Sequence, residues 1–283
     1  MVRSGVLVRL RGGAFVDART WSRLDEIGRY GLRCRAVLGQ AKAPVVLSHV
    51  SGLPEWDAPT WGLPLDDVHV TRTDGIRGRR AVGVQQHVGT VRPEDLTTVN
   101  GVPVMTPARL ALESVTMGNS EAALAVLNDL THRGLVTGPE LRDQYVAMQT
   151  WPGIAAAEVL LRLLDPRIES VGESRTFWAI YQQRLPRPVA QYEVKDSSGR
   201  VLARLDFAWP ELRVWLEFDG RSKYEKYRRP GESIADAVVR EKAREDLVRR
   251  VTGWRCIRIT WADLQDPVRL ATIIHRALYP QAA

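Results

Sequence analysis

Cysteine is almost absent from this chain: its 283 residues include two, Cys34 and Cys256. Neither belongs to a C-x-x-C pair, which excludes zinc ribbons and thioredoxin-type redox motifs. So few thiols fit a reducing, cytoplasmic setting. Long apolar runs are missing too. No uninterrupted stretch reaches the ~20 residues that cross a bilayer, and the amino-terminal MVRSGVLVRLRGG lacks the apolar core of a secretion signal. No low-complexity tract interrupts the chain, and no His and Cys spacing matches a structural zinc pattern. His49 sits beside a serine, which suits a packed, hydrogen-bonded residue with no catalytic role. His69 and His87 fall on expected strands without partnering cysteines.

The composition is globular, 45% hydrophobic and 26% charged, with nine tryptophans. The length suffices for about two domains. A net charge of +7 and a sequence pI of about 9.7 favour a polyanionic partner, nucleic acid first and a membrane surface second. On charge alone, a merely basic soluble protein fits equally.

The stretch from Leu205 to Lys223, LDFAWPELRVWLEFDGRSK, carries acids where a buried sheet carries apolar residues. Leu205 and Phe207 alternate with Asp206. Leu212, Val214, Leu216 and Phe218 alternate with Trp215, Glu217 and Asp219, the period of a strand. Pro210 lies between the arms, where a missing N–H is tolerated. A turn centred on Glu211 and Leu212 sets Phe207 opposite Leu216, Asp206 opposite Glu217 and Leu205 opposite Phe218. Asp206, Glu217 and Asp219 then form a carboxylate cluster, and like charges held close suggest a metal ion. A surface salt-bridge face built with Arg204 or Arg213 is the alternative.

Earlier in the chain, Val6 to Val16 reads as a hairpin turning at Gly12-Gly13, with Arg9 and Arg11 near its tip as candidate phosphate contacts. For this stretch alone an ordinary exposed hairpin is the better reading. A helix is expected from Trp21 to Gly39. Short strands follow at Val68–Thr71, 81–91 and 96–104, then helices from Thr106, 121–133 and 137–148. Three pieces, RSGVLVRLRGGAFV, VVLSHVSGLPEWDAP and GVPVMTPARLALESV, make this region resemble the amino-terminal part of actinobacterial AbiEi-type antitoxin and regulator proteins. The resemblance implies a winged helix followed by a small α+β connector, residues 1–150. Met1 to Ser4 falls at the end of its recognition helix, so either the start site is misassigned or the expected winged helix is truncated. A toxin partner is the corresponding expectation.

The second expected domain is residues 151–283. It opens with a helix from Ile154 to Leu164, and from residue 170 the order is helix, strand, strand, strand, helix, strand, helix, which implies a mixed sheet flanked by helices. In the helix from Ser233 to Thr252, Ala235, Val239, Ala243, Leu247 and Val251 recur at intervals of four and read as its core stripe. VGESRTFW, ARLDFAWPELRVWLEFDG, VVREKAREDLVRRVTGW and RCIRITWADL occur in an order similar to the Vsr-like domains of the PD-(D/E)XK nuclease superfamily. The resemblance covers roughly residues 169 to 279 and implies a restriction-endonuclease-like α/β fold. It makes Asp206 and Glu217 the ligands of Mg²⁺ or Mn²⁺ and Glu173 the additional acid. The superfamily lysine belongs two residues after the glutamate, where this chain has Asp219. Lys223 and Lys242 are the candidate replacements, and Asp219 could itself bind metal. The basic, aromatic run holding Lys226, Arg228 and Arg229 suits a phosphate backbone and stacked bases.

The expected function is a metal-dependent DNA endonuclease acting in restriction, repair or phage defence. The alternative is a non-catalytic DNA-binding regulator or antitoxin with a degenerate nuclease domain.

Overall fold

The computed structural model describes residues 5–76, 80–220 and 233–280. Lys223, Lys226, Arg228, Arg229 and the expected helix end at Met1–Ser4 lie outside the described residues. The chain divides into two compact units, Met1–Leu164 and Asp165–Ala283. Helix Ala156–Leu163 therefore belongs with the first unit, beyond the expected boundary at residue 150. Its buried Ala157, Leu160 and Leu163 explain the assignment, since it packs on the helices that precede it.

The first unit opens with the expected hairpin, β1 (Leu7–Arg11) and β2 (Ala14–Asp17), paired antiparallel. The single helix expected next is two, α1 (Ala18–Arg23) and α2 (Glu26–Gly39). Leu24 is extended, and the Asp25 side chain accepts the Gly28 N–H, starting a new helix. A mixed six-stranded sheet follows, in the order β5-β6-β4-β3-β8-β7. Its strands are β3 (Val45–Leu47), β4 (Val68–Arg72), β5 (Arg80–Ala81), β6 (Val84–His87), β7 (Leu96–Val99) and β8 (Val102–Met105). The β7–β8 hairpin turns at Asn100-Gly101, both with positive φ. A 3₁₀ segment, His49–Trp56, leaves β3 and presses on helix α3 (Pro107–Val115). The approach requires glycine at 52, where a Cβ would fall 2.5 Å from Leu110 Cδ2. Helices α4 (Ser120–His132), α5 (Gly138–Met148) and α6 (Ala156–Leu163) complete the unit. Thr137 caps α5 with a reciprocal bond to Glu140.

The second unit has the expected order: α7 (Val171–Gln182), β9 (Val189–Lys195), β10 (Val201–Trp209), β11 (Val214–Asp219), α8 (Ile234–Thr252), β12 (Arg255–Thr260) and α9 (Pro267–Leu278). The sheet runs β12-β11-β10-β9. β9, β10 and β11 form an antiparallel meander, and β12 joins parallel to β11. Both faces of β11 are covered, so Trp215 and Glu217 are buried as fully as Leu216. α7 lies on the face of Phe218: a Cβ on Gly172 would fall 2.0 Å from the Phe218 ring. α8 presents Val248 to the opposite face, beside Trp215 and Ala208.

The stripe expected on α8 is not its core face. Val239 is 68% exposed and Val251 46%, Ala243 is exposed, and Val248 and half-buried Arg244 face inward. Residues spaced at intervals of four drift by about 40° per step around a 3.6-residue helix. Such a stripe winds off the face on which it begins.

No described helix is long and apolar enough to cross a membrane.

Candidate functional site

The acidic hairpin has the expected register. Trp209, Ala208 and Phe207 pair with Val214, Trp215 and Leu216. One step further, the Asp206 side chain takes the place of a main-chain acceptor: its Oδ2 receives the Phe218 N–H at 2.8 Å. Asp206 is 8% exposed and Glu217 3%, which excludes the surface salt-bridge face. Arg204 pairs with Glu169, and Arg213 donates to the Thr252 carbonyl. The guanidinium that reaches Glu217 comes from α8, with Arg244 Nη2 3.1 Å from Glu217 Oε1. Burial works against the Arg244 charge. Its hydrogen bond to Glu241 and the charges of Glu217 and Glu241 outweigh burial and push its pKa up.

Glu173 reaches back over the start of α7. Its carboxylate accepts from the Glu169 N–H at 3.1 Å and the Ser170 hydroxyl at 2.8 Å. It also accepts from Gln191 Nε2 at 2.9 Å. Gln191 lies in β9 with φ of 50°, a left-handed kink inside a strand. The flanking pairs Leu205–Tyr192 and Phe207–Ala190 set Gln191 beside Asp206. A polar row thus crosses the sheet from Gln191 through Asp206 and Glu217 to Arg258.

Asp219 does not join Asp206 and Glu217. It is turned to Arg258, Oδ2 to Nη1 2.8 Å, and Arg258 also holds Glu245 at 2.6 Å. Lys242 is exposed on α8. In type, the oxygen-only pair Asp206 and Glu217 fits a hard divalent cation. Such an ion would share these carboxylates with Arg244 and the Phe218 N–H. In the first unit, Arg9 is exposed on β1 and Arg11 half-buried. Both line a cavity of about 520 Å³ with Arg33. Sequence reasoning missed Gln191 and Arg244. The motif drew attention to lysine, whereas the sheet register and the helix phase select these two.

The first unit gathers a second set of groups that the sequence left apart. His49, His69 and His87 offer ligand atoms that all lie within 4.8 Å of one another, and they are the one such trio of His, Cys, Asp or Glu among the described residues. β4 and β6 pair in parallel, with Thr71 beside His87 and His69 beside Gln85. His69 Nδ1 lies 2.8 Å from His87 Nε2, and the His87 ring stacks on His49 at 3.7 Å. His49 begins the 3₁₀ segment with φ of 52°, a conformation that carries backbone strain outside glycine. Burial pushes the His49 pKa down to about 3, helped by the His69 and Arg109 charges. Burial, then His49 and His69, also bring His87 to about 3.

Behind His49 stands a buried ionic chain. Glu113, on α3, accepts the His49 N–H at 2.7 Å. Burial pushes its carboxyl up against the pull of Arg109. Arg109 holds both Glu113 and Asp95 at 2.9 Å, and its guanidinium lies 4.3 Å from the centre of the Trp151 ring. Arg92 takes the other Asp95 oxygen at 2.8 Å. A cavity of about 610 Å³ fronts the histidines and reaches Asp66, Asp67 and Trp151. The one available signal was numerical: three of the five histidines fall between residues 49 and 87.

No family model matches the chain. It is 31% identical over 285 aligned residues to the uncharacterized protein MT2308 of Mycobacterium tuberculosis strain CDC 1551 / Oshkosh, covering 98% of this chain and 97% of the relative. The uncharacterized protein Rv2248 of strain ATCC 25618 / H37Rv matches with the same identity, 31%, and the same coverage. Similarity that runs through both units in one alignment makes this chain a member of the family to which those two mycobacterial proteins belong.

Proposed function

We propose that the second unit is a metal-dependent DNA endonuclease domain that hydrolyses phosphodiester bonds. The supporting observation is the Asp206–Glu217 pair, two carboxylates buried side by side on central strands of a mixed sheet. Buried like charges are costly, and such pairs persist where a positive group is shared between them. Asp206 and Glu217 would hold Mg²⁺ or Mn²⁺, which supplies Lewis-acid polarisation of a phosphoryl oxygen and acidifies water. Arg244 brings a fixed positive charge to Glu217, the role expected of the lysine that Asp219 replaces: it offsets negative charge developing on phosphate. Gln191, next to Asp206 in the sheet, bonds Glu173, the additional acid of the expected set. The overall charge of +7 suits attraction to a nucleic-acid backbone.

The full-length chain should cleave single- or double-stranded DNA in Mg²⁺ or Mn²⁺. Glu217→Gln and Asp206→Asn should each lower the rate at least ~100-fold with an unchanged circular dichroism spectrum. Cleavage by Glu217→Gln at the wild-type rate, or none by the wild type across varied substrates, refutes the proposal.

One observation favours a second reading. Arg244 and Arg258 already pair with Glu217 and Asp219, as in a nuclease scaffold retained for binding alone. A regulator of that kind, with a toxin partner, would bind DNA without metal and be indifferent to Asp206→Asn.

A further inference from the structure

We propose that His49, His69 and His87 form a binding site for a divalent cation of the zinc class, open to the cavity of the first unit. The site is independent of the nuclease reading, because all its residues belong to the other unit.

The donors decide the class of ion. Three imidazoles without a carboxylate among them suit Zn²⁺ and its neighbours Co²⁺, Ni²⁺ and Cu²⁺, whereas Mg²⁺ and Ca²⁺ take oxygen. Each histidine comes from a different element, the 3₁₀ segment, β4 and β6, so the fold itself brings them together. Two nitrogens bound to one tetrahedral zinc stand roughly 3.3 Å apart, given Zn–N bonds of about 2.0–2.1 Å. His69 Nδ1 and His87 Nε2, now 2.8 Å apart, reach that separation by a small outward turn of either ring. All three donors lie within 4.8 Å of one another, within range of side-chain adjustment.

The surroundings match a metal site beyond the trio. His49 Nδ1 is turned to the protein, 3.1 Å from Ser48 Oγ and 3.6 Å from Glu113 Oε2, so Nε2 is the atom left to bind. The Ser48 hydroxyl, within hydrogen-bonding distance of Nδ1, holds the ring as a partner of the non-ligating nitrogen does at such sites. Asp66 and Asp67 line the cavity in front and place negative charge where a cation would enter. Three protein ligands facing a cavity leave the fourth position to water or a small ligand. The His49 and His87 rings now stack at 3.7 Å and 16°, so taking one ion in the plane of both requires one ring to turn about its side-chain bonds.

The test uses the full-length chain, stripped of metal on a chelating resin and labelled with ¹⁵N at histidine. Zinc should bind at one equivalent per chain by calorimetry. Ring nitrogens of three of the five histidines should shift, while His132 and His275 stay unmoved. His87→Gln should weaken binding at least 100-fold. The doubly substituted Asp206→Asn/Glu217→Gln chain should bind as the wild type does, which separates this site from the carboxylate pair. The proposal is overturned if zinc leaves the three rings unmoved in the wild-type spectrum, a measurement that needs no variant. It is equally overturned by unaltered binding in His87→Gln, or by binding lost in the carboxylate variant.

Discussion

Replacing Arg109 by methionine should destabilise the first unit by more than any surface change can. Arg109 is 2% exposed and joins two carboxylates, Asp95 and Glu113, each wholly buried. Removing one partner of a buried ionic group costs about 3–5 kcal/mol, because the remaining charges stay in a low-dielectric interior. The lost contact with the Trp151 ring adds about 0.5–2 kcal/mol, partly offset by the packing of the methionine. The two acids are not left equally exposed to the loss. Asp95 keeps Arg92 at 2.8 Å, whereas Arg109 is the one guanidinium ion-paired to Glu113 among the described residues. The uncompensated charge therefore falls on Glu113. At about 2–4 °C per kcal/mol for a unit of this size, the 3–5 kcal/mol corresponds to roughly 6–20 °C. Thermal unfolding of the full-length chain measures it, with hydrogen exchange on peptides of the α3 region assigning the transition to the first unit. Adding Glu113→Gln should recover more of the loss than adding Asp95→Asn. A shift below about 3 °C, or the opposite order of recovery, would refute this account.

Gly172→Ala drives a methyl group to 2.0 Å from the Phe218 ring, so the second unit should lose ~1–3 kcal/mol by overpacking, read as a lower urea midpoint. Burial raises both thiols to about 12, with Glu245 and Glu217 contributing at Cys256. Cys34, 0% exposed, should not react with a disulfide reagent at pH 8 until denaturant is added. Half-buried Cys256 should react more slowly than a free thiol, and rapid native-state labelling of Cys34 would contradict its burial. Burial pushes the Asp95 carboxyl up, but the Arg92 hydrogen bonds and the Arg109 charge outweigh it, so its pKa is lowered on folding. A lowered carboxylate stabilises fully above its unfolded value of about 3.9 and loses that contribution as pH falls through the lower folded value. The wild-type advantage over Asp95→Asn in urea unfolding should therefore be full at pH 6 and shrink below pH ~4. An advantage that grows on acidification would reverse the assignment.

The parts legible in the sequence were those governed by local rules. Period-two alternation located β10 and β11, and the turn at Pro210–Leu212 set their register. The helix expected over 137–148 starts at its Thr137 cap, whereas 96–104, expected as one strand, is the β7–β8 hairpin folded back at Asn100-Gly101. Of the other failures, one is local and the rest involve longer-range choices. The Leu24–Asp25 break depends on a side-chain cap competing with helix continuation. The inward face of α8 was misread because Arg244 is drawn in by Glu217, contributed from a strand. The histidine trio arises because β4 lies between β3 and β6 in the sheet, an order that spacing does not encode. Nothing local singles out Arg109 and Glu113, four residues apart on α3, because the groups that accompany their burial, Asp95 and Trp151, come from other segments.

The origin of the Glu217 and Asp219 counter-charges bears on how the second unit folds. The β10–β11 hairpin is local and can form early, whereas Arg244 and Arg258 belong to α8 and β12 further along the chain. In folding that begins with the hairpin, Asp206 and Glu217 approach one another before the guanidiniums arrive, and their repulsion is felt in the transition state. Salt shields that repulsion over about 8–10 Å at moderate ionic strength. The refolding rate of this unit should accordingly rise with added monovalent salt, and Glu217→Gln should flatten the dependence in stopped-flow measurements. A rate indifferent to salt in both proteins would place helix docking ahead of the hairpin.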